Sequence, residues 1–192
     1  MTNELHQPDE NTGTMEVLER HQFDVSRLKD YMHENVQGFD GDITLEEFKG
    51  GQSNPTYKVV TPSQSYVLRR KPPGKLLKSA HAVDREYKVI TALNKTDVPV
   101  PKSYALCEDE DVIGTAFYLM EFKDGRVLWD PAMENSPKEE AKGVYESMNE
   151  TMAKLHSVNP NDIGLEDFGK PGNYVGRQVS RWSKQYLSLI HI

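Results

Sequence analysis

Apolar residues are unevenly spread along the chain. Residues 1–20 (MTNELHQPDENTGTMEVLER) are polar and hold no sustained period, which predicts a mobile terminus, and a disordered tail is expected over 1–22. From Asp24 onward Val25, Leu28, Tyr31, Met32 and Val36 recur at steps of three and four, predicting an amphipathic helix capped by Asp24 and closed by Gly38. Residues 43–49, 56–61 and 65–70 are rich in Thr, Tyr, Val and Ile and are separated by turn residues, so they read as an antiparallel meander. The connections GGQSNPT and Pro62-Ser63-Gln64 are short enough for hairpins.

Pro72 and Pro73 forbid further pairing, and Val83, Tyr87 and Ile90 then mark a helix over about 79–93. VPVPKSYALCED and GTAFYLMEF supply two more strands, which brings the expected sheet to five. Ser136-Pro137-Lys138-Glu139 combines a capping box with an early proline, opening a long helix whose stripe of Val144, Met148, Met152 and Leu155 should be buried. It stops before Pro160, and a further helix is expected to start near Gln178. The two Asn-x-Thr triplets, at Asn94 and Asn149, fall in helical stretches and are taken as chance.

Composition narrows the chemistry. With 23 basic and 30 acidic side chains the net charge is −7, and the longest basic run is Arg69-Arg70-Lys71, so no basic face for nucleic acid or an anionic membrane is expected. A single cysteine, Cys107, excludes an internal disulfide or a thiolate zinc site and points to a reducing, cytoplasmic setting. No stretch reads as a membrane span or a secretory signal. The six histidines form no pair spaced by four, so no metal site is assigned.

Several motifs in series resemble the aminoglycoside phosphotransferase and choline kinase-like family, most closely the phosphotransferase domain related to the one joined to some acyl-CoA dehydrogenases. They are GGQSNPTYKV at 50–59, YVLRRKPPGKLLKSAHAVDREYKVI at 66–90, VPVPK at 98–102, FYLMEFKDGRV at 117–127 and LHS at 155–157. The resemblance implies an α+β fold: a protein kinase-like amino-terminal lobe, with a five-stranded antiparallel sheet plus helix, running into the start of a helical second lobe. The expected organisation is a tail over 1–22, a nucleotide-binding lobe over 23–122, a hinge and incomplete second lobe over 123–186, and non-native read-through over 187–192 (LSLIHI).

Under this resemblance Gly51, Gln52, Ser53 and Asn54 contact the phosphates of ATP, because small residues let the backbone approach and N–H groups donate to the oxygens. By itself Gly-Gly-Gln-Ser-Asn-Pro also reads as a hairpin turn. Arg69 matches the phosphate-holding lysine of the family and Glu86 its helical glutamate partner, a departure in which the planar guanidinium places its donors differently from an ammonium. Without the family pattern, Arg69, Arg70 and Lys71 read equally well as the solvated basic end of a strand. Met120, Glu121 and Phe122 match the segment that reads adenine, although FYLMEF alone is simply a buried strand. His156 matches the family's Leu-His pair, for which a structural hydrogen bond is expected.

The family's His-Gly-Asp segment, its Asn five residues after the Asp, and its later metal-binding Asp find no counterpart. No histidine of this chain is followed two residues later by Asp. No catalytic residue is therefore assigned, and the Mg2+ ligands are expected in sequence beyond this chain. The reading is an amino-terminal fragment, inactive alone, of an ATP-dependent kinase that moves the γ-phosphate to a small-molecule hydroxyl. A hydroxyacyl-CoA is the suggested acceptor, with a functional link to an acyl-CoA dehydrogenase. The alternative is a non-catalytic nucleotide- or partner-binding module, pseudokinase-like in character.

Overall fold

The computed structural model describes residues 12–49, 53–74, 81–128, 130–170 and 172–190. Among these, six strands form one wholly antiparallel sheet: β1 (Thr14–Met15), β2 (Thr44–Phe48), β3 (Thr56–Val60), β4 (Ser65–Arg70), β5 (Ser103–Cys107) and β6 (Phe117–Glu121), in the order β1-β2-β3-β4-β6-β5. The α+β architecture is as expected, but the sheet gains a strand. Thr14 and Met15, inside the stretch expected to be disordered, pair with Phe48 and Glu47. Polar chemistry that periodicity does not register drives this pairing. Thr14 Oγ1 donates to Glu46 at 2.7 Å, while the buried Glu47 carboxylate accepts the Leu18 N–H at 3.0 Å and bonds His21 Nδ1 at 2.6 Å.

Helices cover both faces of the sheet. The first, α1 (Val25–Asn35), starts where Asp24 accepts the N–H groups of Ser26 and Arg27. It lays Leu28 and Met32, both fully buried, on a core with Tyr57, Val59, Tyr66, Leu68, Phe117 and Leu119. On the opposite face α2 (Val83–Leu93) brings Val83, Tyr87 and Ile90 against Ala116, Tyr118 and Met120. Phe117, Tyr118 and Leu119 are consecutive and all buried because β6 is covered on both sides, so its alternation separates two cores rather than core from solvent. A single helical turn, α3 (Glu110–Ile113), is capped by Asp109 and ends on Gly114 at φ +85°, a left-handed position that glycine adopts without a Cβ penalty; the chain then re-enters the sheet as β6.

The chain divides into two compact units after Ser157. The first unit ends with α4 (Lys138–Ser157). Its predicted stripe forms but is not buried: Met148, Met152 and Leu155 are 50%, 43% and 45% exposed. His156 is likewise exposed in the last turn, outside any structural hydrogen bond described for it. In the second unit Asn159 caps a 3-10 turn over Pro160–Ile163, and α5 (Tyr174–Ile190) follows, starting four residues before Gln178. No helix among the described residues is long and apolar enough to cross a membrane.

Candidate nucleotide site

Strand register assembles the site. On β4 successive side chains alternate, so Tyr66, Leu68 and Arg70 turn toward α1, while Val67 and Arg69 turn toward α2. Arg69 stands opposite Thr56 on β3 and Tyr118 on β6, which makes Thr56, Arg69 and Tyr118 one row across three strands. The neighbouring row is Lys58, Val67 and Met120.

The first row is polar and closed on itself. Arg69 Nε donates to Glu86 Oε2 at 2.7 Å and its Nη1 donates to Thr56 Oγ1 at 3.1 Å. Thr56 Oγ1 donates in turn to the Asn54 carbonyl at 3.0 Å, and Asn54 Nδ2 donates to Glu86 Oε1 at 3.3 Å, completing the ring. Tyr118 adds a donor to Glu86 Oε2 at 3.1 Å, and His81 Nδ1 lies 2.7 Å from Asn54 Oδ1. Burial pushes the Tyr118 phenol well above its ordinary value, and the adjacent Glu86 charge adds to the effect. Glu86 sits in the first turn of α2, where a carboxylate complements the helix dipole. The side chains of Arg69 and Glu86 are 30% and 35% exposed, a setting in which an ion pair adds only about 0–1 kcal/mol to stability. Their pairing therefore matters chiefly for where it holds the guanidinium, whose Nη2 takes no part in these bonds.

The second row is largely apolar. Phe122 stacks on Phe48 with centroids 6.4 Å apart, and Lys58 Nζ lies 4.5 Å from the Phe122 centroid. Val67 is buried and Met120 partly so. At the end of β6 the Glu121 N–H donates to the Lys102 carbonyl at 2.8 Å, and the Glu121 carboxylate accepts from Lys123 Nζ and from the Lys102 N–H. Those donors, Lys123 foremost, hold Glu121 below the usual carboxylate range.

Of the residues singled out in the sequence, the structure brings Arg69 and Glu86 into an ion pair and places Met120 and Phe122 on the same face of the sheet. Asn54 is 4% exposed, with its side-chain amide bonded to Glu86 and His81. Ser53 is exposed, and Gly51 and Gln52 lie outside the described residues. Thr56, His81, Tyr118, Phe48 and Lys58 were not singled out. Only strand register and the approach of α2 join them. The described residues hold no group of three or more His, Cys, Asp or Glu side chains able to bind a metal ion.

Comparison with known proteins places the chain in a family. The profile described as "Phosphotransferase enzyme family" matches residues 44–190. The chain is 48% identical over 180 residues to the Arabidopsis thaliana protein named "Probable acyl-CoA dehydrogenase IBR3", covering 90% of this chain and 22% of that protein. It is 42% identical over 187 residues to acyl-CoA dehydrogenase family member 11 of Rattus norvegicus, covering 95% of this chain and 24% of the relative. A crystal structure assigned to an aminoglycoside phosphotransferase of Ralstonia eutropha superposes with a TM-score of 0.75 at 52% identity, over 86% of this chain and 47% of that one. The chain thus spans about a quarter of the length of these curated relatives and about half of the solved structure. On the match over residues 44–190, together with a solved relative that shares the sheet and helices just described, this chain belongs to the phosphotransferase enzyme family.

Proposed function

We propose that this chain is the amino-terminal, nucleotide-binding part of an ATP-dependent small-molecule kinase, whose full-length form transfers the γ-phosphate to a hydroxyl. The observation that carries the reading is the Arg69–Glu86 pair, held at 2.7 Å beside the end of the Gly50–Thr56 connection. A guanidinium fixed on one edge by a carboxylate and a threonine presents its other edge to phosphate oxygens. Val67, Met120, Phe48 and Phe122 offer an apolar surface suited to a flat base. Because the Glu121 N–H is already bound to Lys102, an adenine edge would be read by backbone groups further along the 121–123 segment.

Gly51, Gln52, Ser53 and Asn54 remain the proposed phosphate contacts, Asn54 through its backbone N–H because its side chain is engaged by Glu86 and His81. Mg2+ is proposed to accompany the nucleotide, although no group of three or more His, Cys, Asp or Glu among the described residues fits a metal ion. The acceptor is proposed to be a hydroxyacyl-CoA, in keeping with relatives named as acyl-CoA dehydrogenases, and the location cytoplasmic. The proposed domain limits are a nucleotide lobe over 23–122 and a second lobe beginning at 123.

Calorimetric titration of the 192-residue chain with MgATP tests the reading. The folded chain should bind. Arg69→Ala should weaken binding about tenfold, since one charge-assisted contact is worth about 1.5–3 kcal/mol and each 1.4 kcal/mol is tenfold. Arg70→Met, on the opposite face, should stay within about twofold of wild type. A folded chain that binds no ATP, or an effect of Arg70→Met larger than that of Arg69→Ala, overturns the assignment. The chain alone should transfer no phosphate, and measurable MgATP-dependent turnover would contradict its description as an inactive fragment.

A further inference from the structure

Glu86 is held from three directions, and one of them leads out of the proposed phosphate site. Its Oε2 accepts from Arg69 and Tyr118 and its Oε1 accepts from Asn54, whose own carbonyl oxygen meets His81 Nδ1 at 2.7 Å. The polarity of this chain can be worked out. An ionised carboxylate only accepts, so Asn54 must turn its NH2 toward Glu86; the flipped amide would set two acceptors against each other. With Oδ1 then facing the imidazole, His81 Nδ1 must carry the proton, whether the ring is neutral or charged.

Two further observations bear on His81. Its backbone lies at φ +56°, in the left-handed region that is uncommon outside glycine and that Asn, Asp and His enter more readily than other residues. Asn54, the group it meets, is 4% exposed, so water is poorly placed to replace the donor.

We propose that His81 is a positioning residue: by donating from Nδ1 to Asn54 it locks the amide that holds Glu86 Oε1, and so fixes the carboxylate against which Arg69 is aimed. The inference rests on the proposed nucleotide site and adds to it a residue that touches neither phosphate nor Arg69. Asn54 lies two residues before β3 and His81 two residues before α2, so their bond ties the approaches to both elements to one carboxylate.

The test uses substitutions that keep the unusual backbone. His81→Gly accepts a positive φ freely but supplies no donor, whereas His81→Asn tolerates the same φ and carries an amide N–H. In titrations of the 192-residue chain with MgATP, His81→Gly should weaken binding about three- to tenfold, and His81→Asn should recover to within about twofold of wild type. Asn54→Ala should weaken it comparably, and the double variant Asn54→Ala/His81→Gly should be no worse than the weaker single one, because both cut the same link.

Nitrogen-15 NMR of the His81 ring provides a readout that needs no nucleotide and should show a protonated Nδ1 across neutral pH. Full ATP affinity in His81→Gly, a His81→Asn variant as weak as His81→Gly, or a neutral ring protonated at Nε2 alone each overturns the inference. A folded wild-type chain that binds no ATP overturns the proposed function and this inference together; one that binds ATP yet ignores His81→Gly overturns the inference alone.

Discussion

Arg69 and Arg70 follow one another on β4, and the two-residue period of a strand sends them to opposite faces. Arg69 finds Glu86 and Thr56. Arg70 is 3% exposed under the ring of Phe23, its guanidinium carbon 5.2 Å from the centroid, and among the described residues its Nε and Nη1 meet no hydrogen-bond acceptor. Burial lowers its pKa from the ordinary arginine value, against the pull of Tyr57 and Glu47. Tyr118 offers a sharper test at this scale. Its folded pKa lies above that of an unfolded tyrosine, so its contribution to stability is complete below about pH 10 and declines as pH rises toward the folded value. Tyr118→Phe should therefore cost about 1 kcal/mol at neutral pH, Glu86 being partly solvated, and the gap to wild type should shrink above about pH 10. Urea melts at pH 7 and pH 10.5 measure this, and a gap that widens in alkali would refute it.

At the scale of elements, the segment between β1 and α1 is docked by one carboxylate. Glu47 engages the Leu18 N–H and His21, Tyr57 donates its hydroxyl to the His21 carbonyl at 2.9 Å, and Phe23 packs edge-on against the Tyr57 ring. Removing Glu47 leaves these donors and the nearby Arg70 buried without their anion. Glu47→Ala should lower stability by about 3 kcal/mol, the cost of stripping one partner from a buried charged cluster. Amide exchange over residues 15–21 should accelerate more than exchange within β3 and β4, because docking is lost before the sheet melts. A stability change below about 1 kcal/mol, or equal acceleration everywhere, would show that Glu47 does not hold this segment.

For the molecule as a whole, the outstanding feature is apolar surface on the helices beyond the sheet. Tyr145, Met148, Met152 and Leu155 share one stripe of α4, and in the second unit Val175, Val179, Trp182 and Tyr186 share one stripe of α5, all exposed. Contiguous apolar patches of this kind promote association. Sedimentation velocity of the 192-residue chain should show concentration-dependent self-association, which Met148→Lys/Met152→Lys should reduce while changing stability by less than about 0.5 kcal/mol per site. A wild-type chain that stays monomeric at high concentration would contradict this.

Much of the architecture follows from local pattern. The periods of three and four in α1 and α2, the Asp24 cap and the turn residues between β2, β3 and β4 are each properties of neighbouring residues, and they placed those elements to within a few positions. The Arg69–Glu86 pair was legible too, through the order of several motifs rather than any one of them. What tertiary structure alone decided are relations between residues far apart in sequence. Strand register set Thr56 and Tyr118 beside Arg69, and α2 carried Glu86 to that row and left His81 against Asn54. Thr14 and Met15 look like part of a polar tail until Glu46 and Glu47 supply partners for the backbone and hydroxyl groups around them. Periodicity names the face that an amphipathic helix could bury; whether anything covers it, as on α1 but not along the stripe of α4, depends on surfaces that the helix's own sequence does not contain.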